Sequence, residues 1–224
     1  MNTTKYNITK SIIKELILIG FRALKTASEL LRFNLIDNYG YREYTTVEIL
    51  ESFLPSIKKT IGRSGDDANA VNEGYHHIEL KSGSTQGKTL TMASFPKMMF
   101  DKQSDPARRE YIYKYDGLGL SIFEYFNPYP TAIVFVPKDQ VAKLHPLFKK
   151  KQDIKVEDFA KRLAEGKNIG HDPIVISLQE IVDAVGEENL ICWLRNSRIS
   201  STDFFYKINN NEIKINQNDN DNNI

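Results

Sequence analysis

Gly62-Arg63-Ser64-Gly65-Asp66-Asp67-Ala68 and, after a short gap, Tyr75-His76-His77-Ile78-Glu79-Leu80-Lys81 form the stretch that decides how this chain reads. The second part has the composition of a strand, and side chains along a strand alternate between its two faces. His77, Glu79 and Lys81 therefore share one face, and His76, Ile78 and Leu80 the other. An acid and a lysine stand side by side on one rigid element. Upstream, Asp66 and Asp67 lie in a glycine-flanked loop, Gly62–Gly74, that can fold back beside the strand's end.

On the N-terminal side, apolar residues recur at helical spacing from Thr9 to Phe33 (Ile12, Ile13, Leu16, Ile19, Ala23, Ala27, Leu30, Leu31), which predicts an amphipathic helix. Asn38-Tyr39-Gly40 predicts a turn. Thr45-Thr46-Val47-Glu48 has the pattern of a capping box and predicts a second helix ending near Lys59, kinked or cut short by Pro55. On the C-terminal side, Ser82–Gly87 reads as a small-residue loop, Leu90–Phe100 as helical, and the aromatic-rich Tyr111–Phe126 as paired strands. Thr131–Val136 is an apolar, β-branched strand closed by Pro137. A short helix over Val156–Glu165, a strand over Ile174–Ser177, a helix capped by Ser177-Leu178-Gln179-Glu180 and a last helix over Glu188–Asn196 follow. Asn209–Ile224 is dominated by Asn and Asp and predicts a disordered or weakly ordered tail, with a hairpin of Lys207–Ile208 and Glu212–Ile215 as the alternative.

The expected fold is α/β, a mixed central sheet flanked by helices. One domain is expected over residues 1–208: an N-terminal helical part over 8–60, a core over 61–140 and a C-terminal α/β part over 150–208. The polar tail of residues 209–224 follows.

The chain has 224 residues, 41% hydrophobic and 26% charged, enough for a real core and too apolar for wholesale disorder. Mean hydropathy is −0.43, and no apolar run approaches the ~20 residues of a membrane span. The polar start, Met1–Lys10, lacks the layout of a signal peptide, and the use of a single cysteine makes a reducing cytoplasm the expected location. The single cysteine, Cys192, excludes a disulfide framework or Cys-based zinc site within one chain. It lies in Leu190-Ile191-Cys192-Trp193-Leu194 and reads as a core cysteine. The net charge of +1 says nothing about partners. Basic residues do gather, at Lys58, Lys59 and Arg63, from Lys81 to Lys114, and at Lys149–Lys151, as a positive groove or as solvated surface.

The quoted stretch carries the chemistry. Phosphodiester hydrolysis needs a hard cation to offset charge on the phosphate and to make an attacking water more acidic. Mg²⁺ takes oxygen ligands, commonly one or two carboxylates with phosphate and water. A neighbouring lysine can orient that water and stabilise developing charge.

An aspartate, a gap and then Glu-Leu-Lys resembles the PD-(D/E)xK nuclease superfamily, which includes most type II restriction endonucleases. Glu79-Leu80-Lys81 matches the family's acid-x-Lys element. Asp67, followed by the small Ala68, is the better match to the upstream aspartate, with Asp66 in reserve. Gly65-Asp66 stands where the family's Pro-Asp would. The order of helix, loop, Glu-x-Lys strand, helical connection and apolar strand Thr131–Val136 is also similar. The resemblance implies a restriction-endonuclease-like core and Mg²⁺-dependent hydrolysis of double-stranded DNA. Asp67, Glu79 and the backbone carbonyl of Leu80 would ligand the metal, and Lys81 would orient and help activate the water. It further implies a type II restriction enzyme acting as a homodimer, because a two-fold protein matches a palindromic site. The alternatives are a repair or recombination nuclease of the same superfamily, or a noncatalytic DNA-binding or toxin-like interaction module. The plainest alternative makes Glu79 and Lys81 a solvated strand face.

Ser82-Gly83-Ser84-Thr85-Gln86-Gly87-Lys88-Thr89 also resembles a Walker A phosphate loop, with Ser82 in place of the first glycine. A strand bearing Glu79 and Lys81 is a poor fit to the doubly buried strand that precedes such a loop. In the nuclease reading Ser84, Thr85, Gln86 and Lys88 are instead candidate DNA contacts. Arg108 and Arg109, in a turn after Asp105-Pro106, and Arg195, Asn196 and Arg198 are further candidates, since Arg suits phosphate and guanine edges. His77 shares the Glu79 face and could contact phosphate. His145 and His171 have no assigned role.

Overall fold

Gly117–Glu124 and Pro130–Val136 are apolar on both faces, and such strands belong at the centre of a sheet covered on both sides. The computed structural model describes residues 18–20, 41–60, 66–124, 127, 129–167, 172–195 and 197–215. Residues 18–20 are helical. The rest of the expected helix Thr9–Phe33, the turn Asn38–Gly40, Gly62–Gly65, His171, Asn196 and the chain past Ile215 lie outside the described residues.

The chain runs through α1 (Tyr41–Leu50), β1 (Lys58–Lys59), β2 (Ala68–Ala70), β3 (Tyr75–Thr85), β4 (Met98–Phe100), α2 (Pro106–Tyr111), β5 (Gly117–Glu124) and β6 (Pro130–Val136). It continues with α3 (Lys138–Val141), α4 (His145–Ala164), β7 (Ile174–Ile176), α5 (Leu178–Val185), β8 (Ile191–Leu194), β9 (Ser197–Ile199) and α6 (Ser201–Asn209). Seven strands form a mixed sheet in the order β1-β2-β3-β5-β6-β8-β9. Only β3 and β5 pair in parallel; the other neighbours are antiparallel. β4 and β7 form a separate antiparallel pair. The expected α/β architecture, a mixed sheet flanked by helices, is what the chain forms.

A core lies on each face of the sheet. On one, Val47 and Leu50 of α1 with Leu54 and Ile57 pack on Ile78, Leu80, Ile133, Phe135 and Trp193. On the other, Leu118, Leu120, Ile122 and Val134 meet Phe148 of α4, Ile181 of α5 and Phe204 and Ile208 of α6. Cys192 is buried here, as expected, and burial pushes its thiol pKa up. Gly117 and Gly119 are needed where α1's core crosses β5. A Cβ at Gly119 would stand 2.6 Å from Leu80 Cδ2, and one at Gly117 2.7 Å from Phe135 Cζ.

Several elements differ from expectation, each for a local reason. Thr45 and Thr46 do not cap a helix: they sit inside α1, and their hydroxyls donate back to the Arg42 carbonyl at 3.2 and 2.7 Å. α1 ends at Leu50, before Pro55. Ser82–Thr85 is not loop but the end of β3. Leu90–Phe100 is not helical: Phe95, before Pro96, is extended, and only a short turn at Met92–Ser94 and then β4 form. Tyr111–Phe126 supplies one strand, β5, not two. Ahead of it Asp105 caps α2, accepting from the Ala107 amide at 2.9 Å, so Arg108 and Arg109 are helical. Val156–Glu165 is the end of the longer α4. Ser177 and Glu180 do form the expected capping box on α5. The apolar run at Ile191 is strand β8, not helix, and α6 was not expected. The start of the tail is ordered. Ile213 and Ile215 are buried, with Leu90 N donating to Ile213 O and Ile215 N to Lys88 O, both at 2.9 Å. Its partner is therefore residues 88–90, not Lys207–Ile208. Among the described residues no helix is long and apolar enough to cross a membrane.

Candidate active site

β3 alternates as its sequence demands. Ile78 and Leu80 enter the α1-side core, while Glu79 and Lys81 face the other side, in register with Leu118 and Leu120 of β5. Antiparallel pairing with β2 then brings Asp67 alongside. Its amide donates to the Ile78 carbonyl at 2.9 Å, and its Oδ2 accepts from the Leu80 amide at 2.8 Å. Glu79 is buried and ion-pairs with Lys81, whose ammonium donates to Glu79 Oε1. Asp67, Glu79 and Lys81 thus gather at the middle of β3.

The electrostatics follow from this crowding. Burial, with the nearby Glu79 charge, pushes the Asp67 pKa up to about 6, against the opposing pulls of the Leu80 amide and Lys81. Burial pushes Lys81 down, but Glu79, through charge and hydrogen bond, and Asp67 more than offset it, and the net shift is upward. Lys81 is held protonated. Glu43 of α1, not singled out in the sequence, adds negative charge near both and ion-pairs with Lys59.

The two aspartates part company. Asp66 turns to a different set: its Oδ2 lies 2.6 Å from His77 Nδ1, and its Oδ1 accepts from the Tyr111 hydroxyl at 2.8 Å. Tyr115 hydrogen-bonds to Glu79, and burial first, then Glu79, raises its pKa. Burial first, then the Asp66 bond, pushes Tyr111 up to about 12. Sequence reasoning missed both tyrosines, placing them only within the aromatic-rich stretch expected to form paired strands. Their one signal was generic: a buried phenol needs a partner for its hydroxyl.

Beside these groups opens a cleft of about 300 Å³, with Glu79, Lys81, Met99, Lys102, Arg108 and Tyr111 among the residues that line it. Among the described residues, Arg108 alone of the sequence-chosen DNA contacts lines it. Arg109 donates to the Gln103 carbonyl at 3.3 Å. Ser84 and Thr85 end β3, with Gln86 and Lys88 exposed beyond. Arg195 is held by Glu124 Oε1 at 2.7 Å and Thr131 Oγ1 at 3.3 Å, and Arg198 lies over the Phe53 ring at 5.9 Å. The structure does not bring these two to the cleft; they sit at the β8–β9 edge. The Walker-like stretch is extended through Thr85, and no helix opens at Lys88, so the loop-to-helix turn of a phosphate loop is absent.

Among the described residues, no group of three or more His, Cys, Asp or Glu is arranged to hold a metal. Asp67, Glu79 and the Leu80 carbonyl offer oxygens only, the donor set a hard divalent cation completes with water. Burial first, then the Glu79 charge, raises the Asp67 pKa, and a bound cation would favour the charged form against both. The residues present fit Mg²⁺. Comparison with protein-family models, with curated proteins and with solved structures found no match.

Proposed function

We propose that this chain is a Mg²⁺-dependent endonuclease that hydrolyses phosphodiester bonds of double-stranded DNA, as a type II restriction enzyme acting as a homodimer in the cytoplasm. One observation carries the reading: the β2–β3 pairing gathers Asp67, Glu79 and Lys81 beside a cleft, with Asp67 partly desolvated. A solvated strand face would leave Glu79 exposed, and it is buried.

Asp67, Glu79 and the Leu80 carbonyl would hold the cation, which supplies charge neutralisation and a more acidic water when bound. Lys81, held protonated by Glu79 and Asp67, is suited to orienting the water and stabilising charge on the phosphate rather than to removing a proton. Water oxygen attacks phosphorus and gives up a proton to solvent, the bond from phosphorus to the leaving oxygen breaks, and that oxygen takes up a proton from solvent.

The test is cleavage of phage genomic DNA with Mg²⁺ and with EDTA, beside Lys81→Ala. Discrete, Mg²⁺-dependent fragments that the variant fails to produce are expected. Cleavage confined to forks or nicks would replace the restriction reading with a repair nuclease. Binding that survives in the variant, with no cleavage by the parent protein on any substrate, would replace it with a binding module.

A further inference from the structure

The cleft that holds Glu79 and Lys81 also carries two cations. Lys102 and Arg108 both line the cavity. Neither side chain makes an ion pair or hydrogen bond among the described residues, whereas Arg109 and Arg195 are both engaged by protein groups. Lys102 also adopts φ 57°, in the left-handed region that non-glycine residues seldom occupy. The turn is fixed from behind. Asp105 N donates to the Lys102 carbonyl at 3.0 Å, and the Asp105 carboxylate caps α2, which carries Arg108. One short segment therefore presents both cations to the same space.

The cavity's other features suit a nucleotide. At about 300 Å³ it is at the small limit of small-molecule sites, room for one nucleotide and not for a base pair with both backbones. Met99, 46% exposed, and the Tyr111 ring supply apolar surface in the same cleft. The cleft's acids are Glu79 and Asp101, and Glu79 is engaged by Lys81 and Tyr115.

We infer that Lys102 and Arg108 form a phosphodiester subsite that grips the phosphate next to the one being cut, on the same strand. This rests on the nuclease reading above and assigns the cleft a one-strand substrate path. Lys81 meets the scissile phosphate, the nucleotide lies against Met99 and Tyr111, and the following phosphate meets the two cations.

The test compares Lys102→Ala/Arg108→Ala with Lys149→Ala/Lys150→Ala, which removes the same charge from α4 outside the cleft. Binding of a mixed-sequence duplex is measured in EDTA across a salt series. Neutralising one phosphate contact lowers the slope of log K against log salt by about 0.9. The cleft variant is expected to lose one to two such contacts and about tenfold in affinity near 0.1 M salt, and the α4 variant much less. Lys102→Arg/Arg108→Lys keeps the charge and should retain the slope, which separates charge loss from misfolding. In cleavage, KM rises in the cleft variant with kcat little changed. Equal losses in the cleft and α4 variants, or none in either, overturn the subsite. A parent protein that cleaves while the cleft variant keeps KM and slope sinks the subsite and leaves the nuclease. A parent that never cleaves, with the cleft-specific slope loss intact, does the reverse.

Discussion

Asp67 is pulled two ways: its Oδ2 accepts the Leu80 amide at 2.8 Å, while burial and the Glu79 charge raise its pKa to about 6. A raised carboxylate pKa means the folded chain binds the proton more tightly than the unfolded chain does. The resulting stability is present below the unfolded value of 3.8 and is lost as pH rises towards about 6. In EDTA at pH 7.5, Asp67→Asn should therefore melt a few degrees above the parent, on the order of 1–2 kcal/mol after allowance for partial exposure. The gap should close near pH 4. A variant that melts lower at pH 7.5 would mean that the Leu80 bond outweighs the repulsion. On the proposed metal site, Mg²⁺ should raise the melting temperature of the parent more than that of the variant, which lacks one carboxylate ligand. Tyr115→Phe removes the hydroxyl that steadies Glu79. Losing such a partner commonly costs about 10–100-fold in metal affinity, and Mg²⁺ titration by calorimetry would detect it without any cleavage assay. Unchanged Mg²⁺ affinity would reduce Tyr115 to a packing residue. At this scale the strand's alternation already placed His77, Glu79 and Lys81 together. It could not choose between Asp66 and Asp67. That choice depends on the β2–β3 register and on Tyr111, a residue distant in sequence.

Strand β3 is seated on glycines of its neighbour. Leu80 and Phe135 fill the space over Gly119, so a methyl group there must displace packed side chains. Gly119→Ala should cost about 1–3 kcal/mol, as overpacking does. Because Leu80 stands between Glu79 and Lys81, cleavage should fall more than stability alone explains. A urea midpoint with a parallel rate at low temperature separates the two effects. A neutral substitution would mean that β5 can shift away from β3. The sequence was most legible where period and length agreed, at the β3 core, β6 and the α5 capping box. It misled where short apolar runs fit either element, as at Ile191–Leu194, since periodicity alone cannot separate a buried strand from a helix turn. It also misled at Thr45–Thr46, where a capping pattern sits inside a helix already begun.

Across the whole molecule, the segment leaving β3 is held by residues 213–215. Residues 88–90 follow β3 and lead towards β4, whose Met99 and Phe100 line the cleft. They are clasped by residues 213–215 through two backbone hydrogen bonds and the Thr89–Lys214 bridge, with Ile213 and Ile215 buried in the larger core. The Asn-rich composition hid this, because two isoleucines among polar residues look too few to hold a segment. Each is nonetheless worth about 1.5–3 kcal/mol when fully buried. Ending the chain after Asn210 should therefore lower unfolding stability by about 3 kcal/mol or more. It should also loosen the cleft wall before it loosens the sheet. Amide exchange should accelerate at Leu90–Gln103 while β5 and β6 keep their protection. If the truncated protein retains its urea midpoint and slow exchange over Leu90–Gln103, the clasp is dispensable and the cleft wall is held by the β4–β7 pair alone.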